Sequence, residues 1–186
     1  MGAVRMLLLQ LAVANISGFR AGEATSSSRH VVDAVKLGHP FAGIGAQSTA
    51  GTGRLLRDYA ETPRGEILDL LFSPQHGAAL QHIKVEIGGD AQITCGAEAS
   101  HWRTGESSPN FARGYEWWLM QEAKARNPDI QLLGLVYAWP SWIGNATVAS
   151  PQWPWASSGA NARAASYVVS WVTGARDVHK LTIDNV

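Results

Sequence analysis

The 186-residue sequence predicts an α/β fold: a (β/α)8 TIM barrel, represented by roughly its first half. Segments of strand period and helix period alternate along the chain, as parallel βα units require. The stretch Ile130–Val136 is a near-continuous apolar run, the pattern of a strand buried on both faces. Long loops follow the second and third strands, at 88–110 and 137–160. Barrels build their sites from such loops. A doubly wound sheet also fits the alternation, and the loops favour the barrel. A complete barrel takes ~250 residues, and this chain offers about three and a half βα units.

Each element has its own signal. Phe41-Ala42-Gly43-Ile44-Gly45-Ala46 reads as a short strand running into a Gly/Ser/Thr loop that ends at Gly53. The glycines there match neither a Walker loop nor the dinucleotide spacing, so a tight turn above the strand is expected. Thr62 can cap a helix whose first turn takes Pro63 and whose apolar face is Ile67, Leu68, Leu71 and Phe72. Pro74 and Gly77 end it. Ile83–Ile87 alternates as a strand. A helix over 111–126 carries Phe111, Tyr115, Trp118, Leu119 and Ala123 on one face, and Asn127-Pro128 stops it. After the strand at 130–136, a helix from about Asn161 steps along Ala165, Val168, Val169, Val172 and Arg176, with Tyr167 and Trp171 beside that face. Leu181–Val186 begins a fourth strand.

Charge excludes some functions. Fifteen basic residues balance fifteen acidic ones, which argues against electrostatic binding of nucleic acid or a polybasic membrane patch. The single cysteine, Cys95, excludes an internal disulfide and a cysteine zinc cluster.

The N-terminus reads as a secretory signal peptide over residues 1–14: Arg5, an apolar stretch from Met6, and an Ala12-Val13-Ala14 cleavage signal. The alternative is a buried N-terminal element. It is too short for a transmembrane span of about 20 residues, and no later segment is apolar enough. Residues 15–40 read as a flexible lead-in, and 41–186 as the N-terminal part of a truncated catalytic domain. Asn145-Ala146-Thr147 is a glycosylation sequon.

Few residues carry chemistry in a recognisable pattern. Glu86 and Asp90 end a strand and are the best local candidates for a glycosidase carboxyl pair, although structural roles explain both. Glu116 and Glu122 read as a solvated helix face. His101 lies in the loop after the second strand, where it could face a ligand, but a surface or turn role is expected. No histidine spacing suits a metal, so no cofactor is expected. Cys95 reads as an inert thiol. Tyr137, Trp139, Trp142, Trp153 and Trp155 crowd one loop. They suit sugar stacking and core filling equally well.

Several motifs resemble the galactocerebrosidase (galactosylceramidase) family of glycoside hydrolases. They are Phe41-Ala42-Gly43-Ile44-Gly45-Ala46, Lys84-Val85-Glu86-Ile87-Gly88-Gly89-Asp90, Arg113 through Lys124, and Pro140-Ser141-Trp142-Ile143-Gly144. The likeness covers Phe41 to Val186, and Gly114-Tyr115-Glu116-Trp117-Trp118-Leu119-Met120 is its most specific run.

The resemblance implies a retaining β-galactosidase of the lysosome, reached through the secretory pathway and acting on galactosylceramide or a related galactolipid. A lipid-presenting activator protein stays open as a second partner. Gln92-Ile93-Thr94 matches the family's galactose-binding loop, which makes Thr94 the implied sugar contact. Tyr137 stands where the family has a sugar-binding Trp, and Cys95 replaces an acidic residue. The family's acid/base and nucleophilic glutamates fall beyond position 186, so none of this chain's residues is expected to be catalytic. The alternative reading is a catalytically inactive truncated product, at best a weak carbohydrate binder.

Overall fold

The structure is a computed structural model describing residues 38–49, 51–91, 93, 96–146, 148–150 and 157–186. The expected leader and all but the last three residues of the lead-in lie outside these. Phe41–Val186 makes up one unit.

Strands β1 (Gly45–Gln47), β2 (His82–Ile87) and β3 (Gln131–Val136) form a parallel sheet in the order β1-β2-β3. Ala46 lies opposite Ile83, and Ile83 opposite Leu132. Side chains alternate across a strand, so Ile83, Val85, Ile87 and Leu132 share one face. That face joins a core with residues from all three longer helices. Lys84, Glu86, Leu133 and Leu135 share the other.

Helix α1 (Gly51–Asp58) stands where a loop was expected. Its Gly-Thr-Gly start has weak helix propensity, but local bonds offset this. The Thr49 N–H donates to Thr52 Oγ1 at 3.0 Å, and Thr52 Oγ1 donates back to Thr49 O at 2.7 Å. Helix α2 (Glu61–Phe72) buries Leu68 and Phe72, as its period predicts. Thr62 is not its cap. Ala60 occupies that position without a side-chain bond, and Thr62 sits in the first turn.

Helix α3 (Glu116–Arg126) starts five residues later than its apolar spacing suggests. Gly114, at φ +99°, turns the chain just before it. Helix α4 (Ala160–Asp177) buries Ala160, Ala164, Tyr167, Trp171, Gly174 and Ala175. The expected face is only partly inward: Val168 and Val172 pack against the core, whereas Val169 is 63% exposed. The valines tempted a hydropathy count, but the larger aromatic areas decide which face turns inward.

Beyond α4, Asn185 bridges Leu133 in parallel, and the Gly134 N–H donates to Asn185 O at 2.9 Å. Pairing there is a single bridge rather than a fourth strand. Among the described residues no helix is long and apolar enough to cross a membrane.

Candidate functional site

The carboxyl ends of the strands collect the polar groups of this unit. After β2 the chain turns through Gly88-Gly89-Asp90. A Cβ on Gly88 would lie 2.5 Å from Ala99 O, and one on Gly89 would lie 2.1 Å from Ala138 O. The two glycines therefore let the turn pass between the loop that follows it and the backbone beyond β3. Asp90 takes φ +60°, a conformation Asp tolerates better than most residues.

Asp90 is tied into that turn. Its Oδ1 accepts from Arg113 Nη2 at 2.8 Å and from the Ser100 N–H at 3.2 Å. Its own N–H donates to Glu98 O at 3.1 Å. The Tyr167 hydroxyl reaches across from α4, bonding Gly88 O and, at 2.8 Å, Ser100 Oγ. Burial raises the Tyr167 pKa, so this phenol stays protonated as the bond to Gly88 O requires.

Three glutamates are buried in the same region: Glu86 is 1% exposed, Glu116 2% and Glu98 3%. Glu98 Oε1 accepts the N–H groups of Tyr115, at 2.7 Å, and Glu116, at 3.4 Å. It thus caps the start of α3, where orphan donors need partners. Glu116 Oε1 accepts from Ser48 Oγ at 2.8 Å. Burial, reinforced by the other carboxylates, pushes the Glu98 carboxyl up to about 7. Burial also holds Glu116 well above the usual carboxylate range, with Glu98 and Glu86 adding to it.

Two sequence expectations are corrected here. Glu116 does not belong to a solvated face. It lies at the first turn of α3, against Ser48 and the buried Gly53, whereas Glu122 pairs with Arg126 at 2.5 Å. His101 is not at the surface. It is 2% exposed, with ring centroids 5.6 Å from Phe111 and 4.4 Å from Tyr167. Burial lowers its pKa to about 4, so the imidazole is neutral over most of the acidic range. The apolar spacing around position 101 gives no warning of this, because the packing partners come from 10 and 66 residues away.

The aromatic loop divides. Trp142 donates its Nε1–H to Trp102 O at 3.0 Å, and the two rings lie 4.9 Å apart. Trp139 and Trp142 both pack against the core. Tyr137 is different. It follows β3 half-buried, and Lys84 Nζ sits 5.7 Å from its ring centroid. Trp153, Trp155, Thr94 and Cys95 lie outside the described residues. A polar recess of about 400 Å³ opens between the two loops, lined by Asp90, Arg103, Thr104 and Ser141 among others. Among the described residues no group of histidines, cysteines and carboxylates could hold a metal ion. Asn145, at φ +50°, is exposed at the end of a short 3₁₀ turn over Ser141–Gly144.

The fold resembles part of the fold of solved structures. An endo-β1,6-glucanase aligns with 76% of this chain and 32% of its own, at TM-score 0.55 and 20% identity. The SrfJ protein of Salmonella typhimurium aligns with 78% of this chain and 33% of its own, at TM-score 0.63 and 16% identity. Sequence similarity reaches much further. Galactocerebrosidase of Salmo salar is 53% identical over 155 residues, and that of Homo sapiens 48%. These alignments cover 83% of this chain, which spans 22% of the length of each relative. The family model for glycosyl hydrolase family 59 matches residues 41–186. The chain belongs to glycosyl hydrolase family 59.

Proposed function

We propose that this chain forms the sugar-recognising N-terminal part of a galactosylceramidase, a retaining β-galactosidase acting on galactosylceramide or a related galactolipid. The observation that carries the reading is the match to galactocerebrosidases at 48–53% identity over 155 residues. The sheet supports it. Strands run in the order β1-β2-β3 without reversal, and the helices pack on one face, as successive βα units of a (β/α)8 barrel do.

Thr94 and Tyr137 are the proposed sugar contacts. Tyr137 offers an aromatic face beside the Lys84 ammonium, suited to stacking on a sugar ring with hydrogen bonding at its rim. Retention requires two carboxyl groups about 5–5.5 Å apart, one on each side of the scissile bond. Asp90 is engaged by Arg113 and Ser100, and Glu86 is buried. The reading gives both structural roles and, from the family resemblance, places acid/base and nucleophile beyond Val186. A lipid-presenting activator protein belongs to the same proposal.

The 186-residue chain is expected to hydrolyse no chromogenic β-galactoside, while galactose binding by calorimetry weakens about fivefold to tenfold in Tyr137→Ala. Turnover lost in Glu86→Gln or Asp90→Asn would overturn the placement of the catalytic carboxylates. Unchanged binding in Tyr137→Ala would overturn the sugar contact.

A secretory route to the lysosome, with residues 1–14 as leader and 15–40 as a lead-in, completes the reading. Exposed Asn145 is its accessible marker. On expression in a secretory host, an endoglycosidase should increase the chain's mobility, and Asn145→Gln should abolish that shift.

A further inference from the structure

The region between β2 and α3 holds more buried acid than its stated roles use. Glu98 joins two pieces of backbone. Its own main chain is bonded to Asp90, closing the loop from 90 to 98, and its carboxyl caps α3 through the Tyr115 and Glu116 N–H groups. Gly114 makes room for it, since a Cβ there would lie 2.2 Å from Glu98 Oε1. Among the described residues the other oxygen, Oε2, is buried with no hydrogen-bond partner, and so is Glu116 Oε2.

The groups facing Glu98 are mostly of its own sign. Glu86 comes from β2, Asp90 from the turn and Glu116 from α3. The nearby cation, Arg113, is engaged by Asp90. Tyr167 and His101 complete the surroundings, both neutral at pH 5–8. Two N–H bonds and the helix dipole favour a carboxylate at this position. Burial and the neighbouring Glu86 and Asp90 oppose it, and burial is the largest influence.

We infer that Glu98 is a proton-dependent positioning residue: neutral, it holds the Asp90 turn on the start of α3, and ionised, it loosens that hold. The proton resides on Oε2, which leaves Oε1 free to accept both N–H groups. The inference rests on Glu98, Asp90 and the start of α3 and is independent of the sugar contacts proposed above.

The folded carboxyl keeps its proton to about pH 7, whereas an ordinary glutamate releases it near 4.5. The folded state therefore binds more protons between these values, and stability falls as pH rises through them. His101 has the opposite sign, losing stability as pH falls from 6.5 toward 4. Comparison with E98Q, which mimics the neutral acid, cancels the His101 contribution.

The test is amide exchange at Tyr115 and Glu116 in the full chain, corrected for intrinsic chemistry, at pH 5 and pH 8. Opening should increase on the order of 10²-fold more in the wild type than in E98Q. Equal pH dependence in the two proteins would overturn the inference. Should E98Q fail to fold, carbon-detected titration of the wild-type Glu98 carboxyl decides. A midpoint well above 5 supports the inference, and one at or below 4.5 overturns it.

Discussion

Gly89→Ala should destabilise the chain by about 3 kcal/mol or more, read as a lower denaturant midpoint with unchanged slope. The added Cβ would stand 2.1 Å from Ala138 O and 2.7 Å from the Trp139 nitrogen. Both are backbone atoms, so no rotamer change relieves the clash. Either the turn after β2 or the chain leaving β3 must move, and these two segments flank the candidate site. Tyr167, which bonds Gly88 O, would lose its anchor in the same displacement. Gly65→Ala is the matched control. It lies inside α2 with nothing within 4 Å of a built Cβ. Removing an interior helical glycine there should stabilise by roughly 0.5–1 kcal/mol. A loss at Gly89 no larger than the effect at Gly65 would show that the close approach is not held in solution.

Trp171→Ala should cost about 3–5 kcal/mol, the range for emptying a buried aromatic site. Trp171 is 2% exposed. It stacks on Trp117 at 5.0 Å, and Trp117 stacks in turn on His179 at 4.6 Å. Its ring also seats against β3, where a Cβ on Gly134 would come within 3.0 Å of it. The residue therefore joins α4, α3 and the sheet, and its loss leaves a cavity that three elements must collapse to fill. Trp171→Phe keeps part of that volume and should cost about 1–2 kcal/mol. Val169→Ala, on the exposed side of α4, should change stability by less than ~0.5 kcal/mol. Thermal or urea unfolding of the three variants gives the ranking. Equal losses at 169 and 171 would mean that α4 presents a different face in solution.

Periodicity located β2, β3, α2, α3 and α4, because burial on one face leaves its mark at fixed spacing along each segment. Glycine spacing separated the loop before Gly53 from phosphate-binding loops. Weak propensity hid α1, whose start depends on reciprocal Thr49–Thr52 bonds rather than on helix-forming residues. The start of α3 was misplaced because Phe111 and Tyr115 continue the apolar spacing, while Gly114 breaks the backbone. Spacing reports the side chain, and a positive φ belongs to the main chain.

The site was legible in its motifs but not in its electrostatics. Gly88-Gly89-Asp90 was readable as a turn, and the structure gives Asp90 the tethering role that reading favoured. Glu116 read as solvated because its immediate neighbours say nothing of Ser48, 68 residues earlier. His101 read as a loop residue because its ring partners come from another helix and another turn.

Family membership, the parallel α/β plan and the approximate elements were thus determined by the sequence itself, since local patterning and specific runs such as Gly114–Met120 suffice for them. Which carboxyls are dry, which face of α4 is inward and why Gly89 must be glycine were decided only by tertiary structure. Desolvation and close backbone approach arise between segments far apart in the chain, and no local window contains both partners.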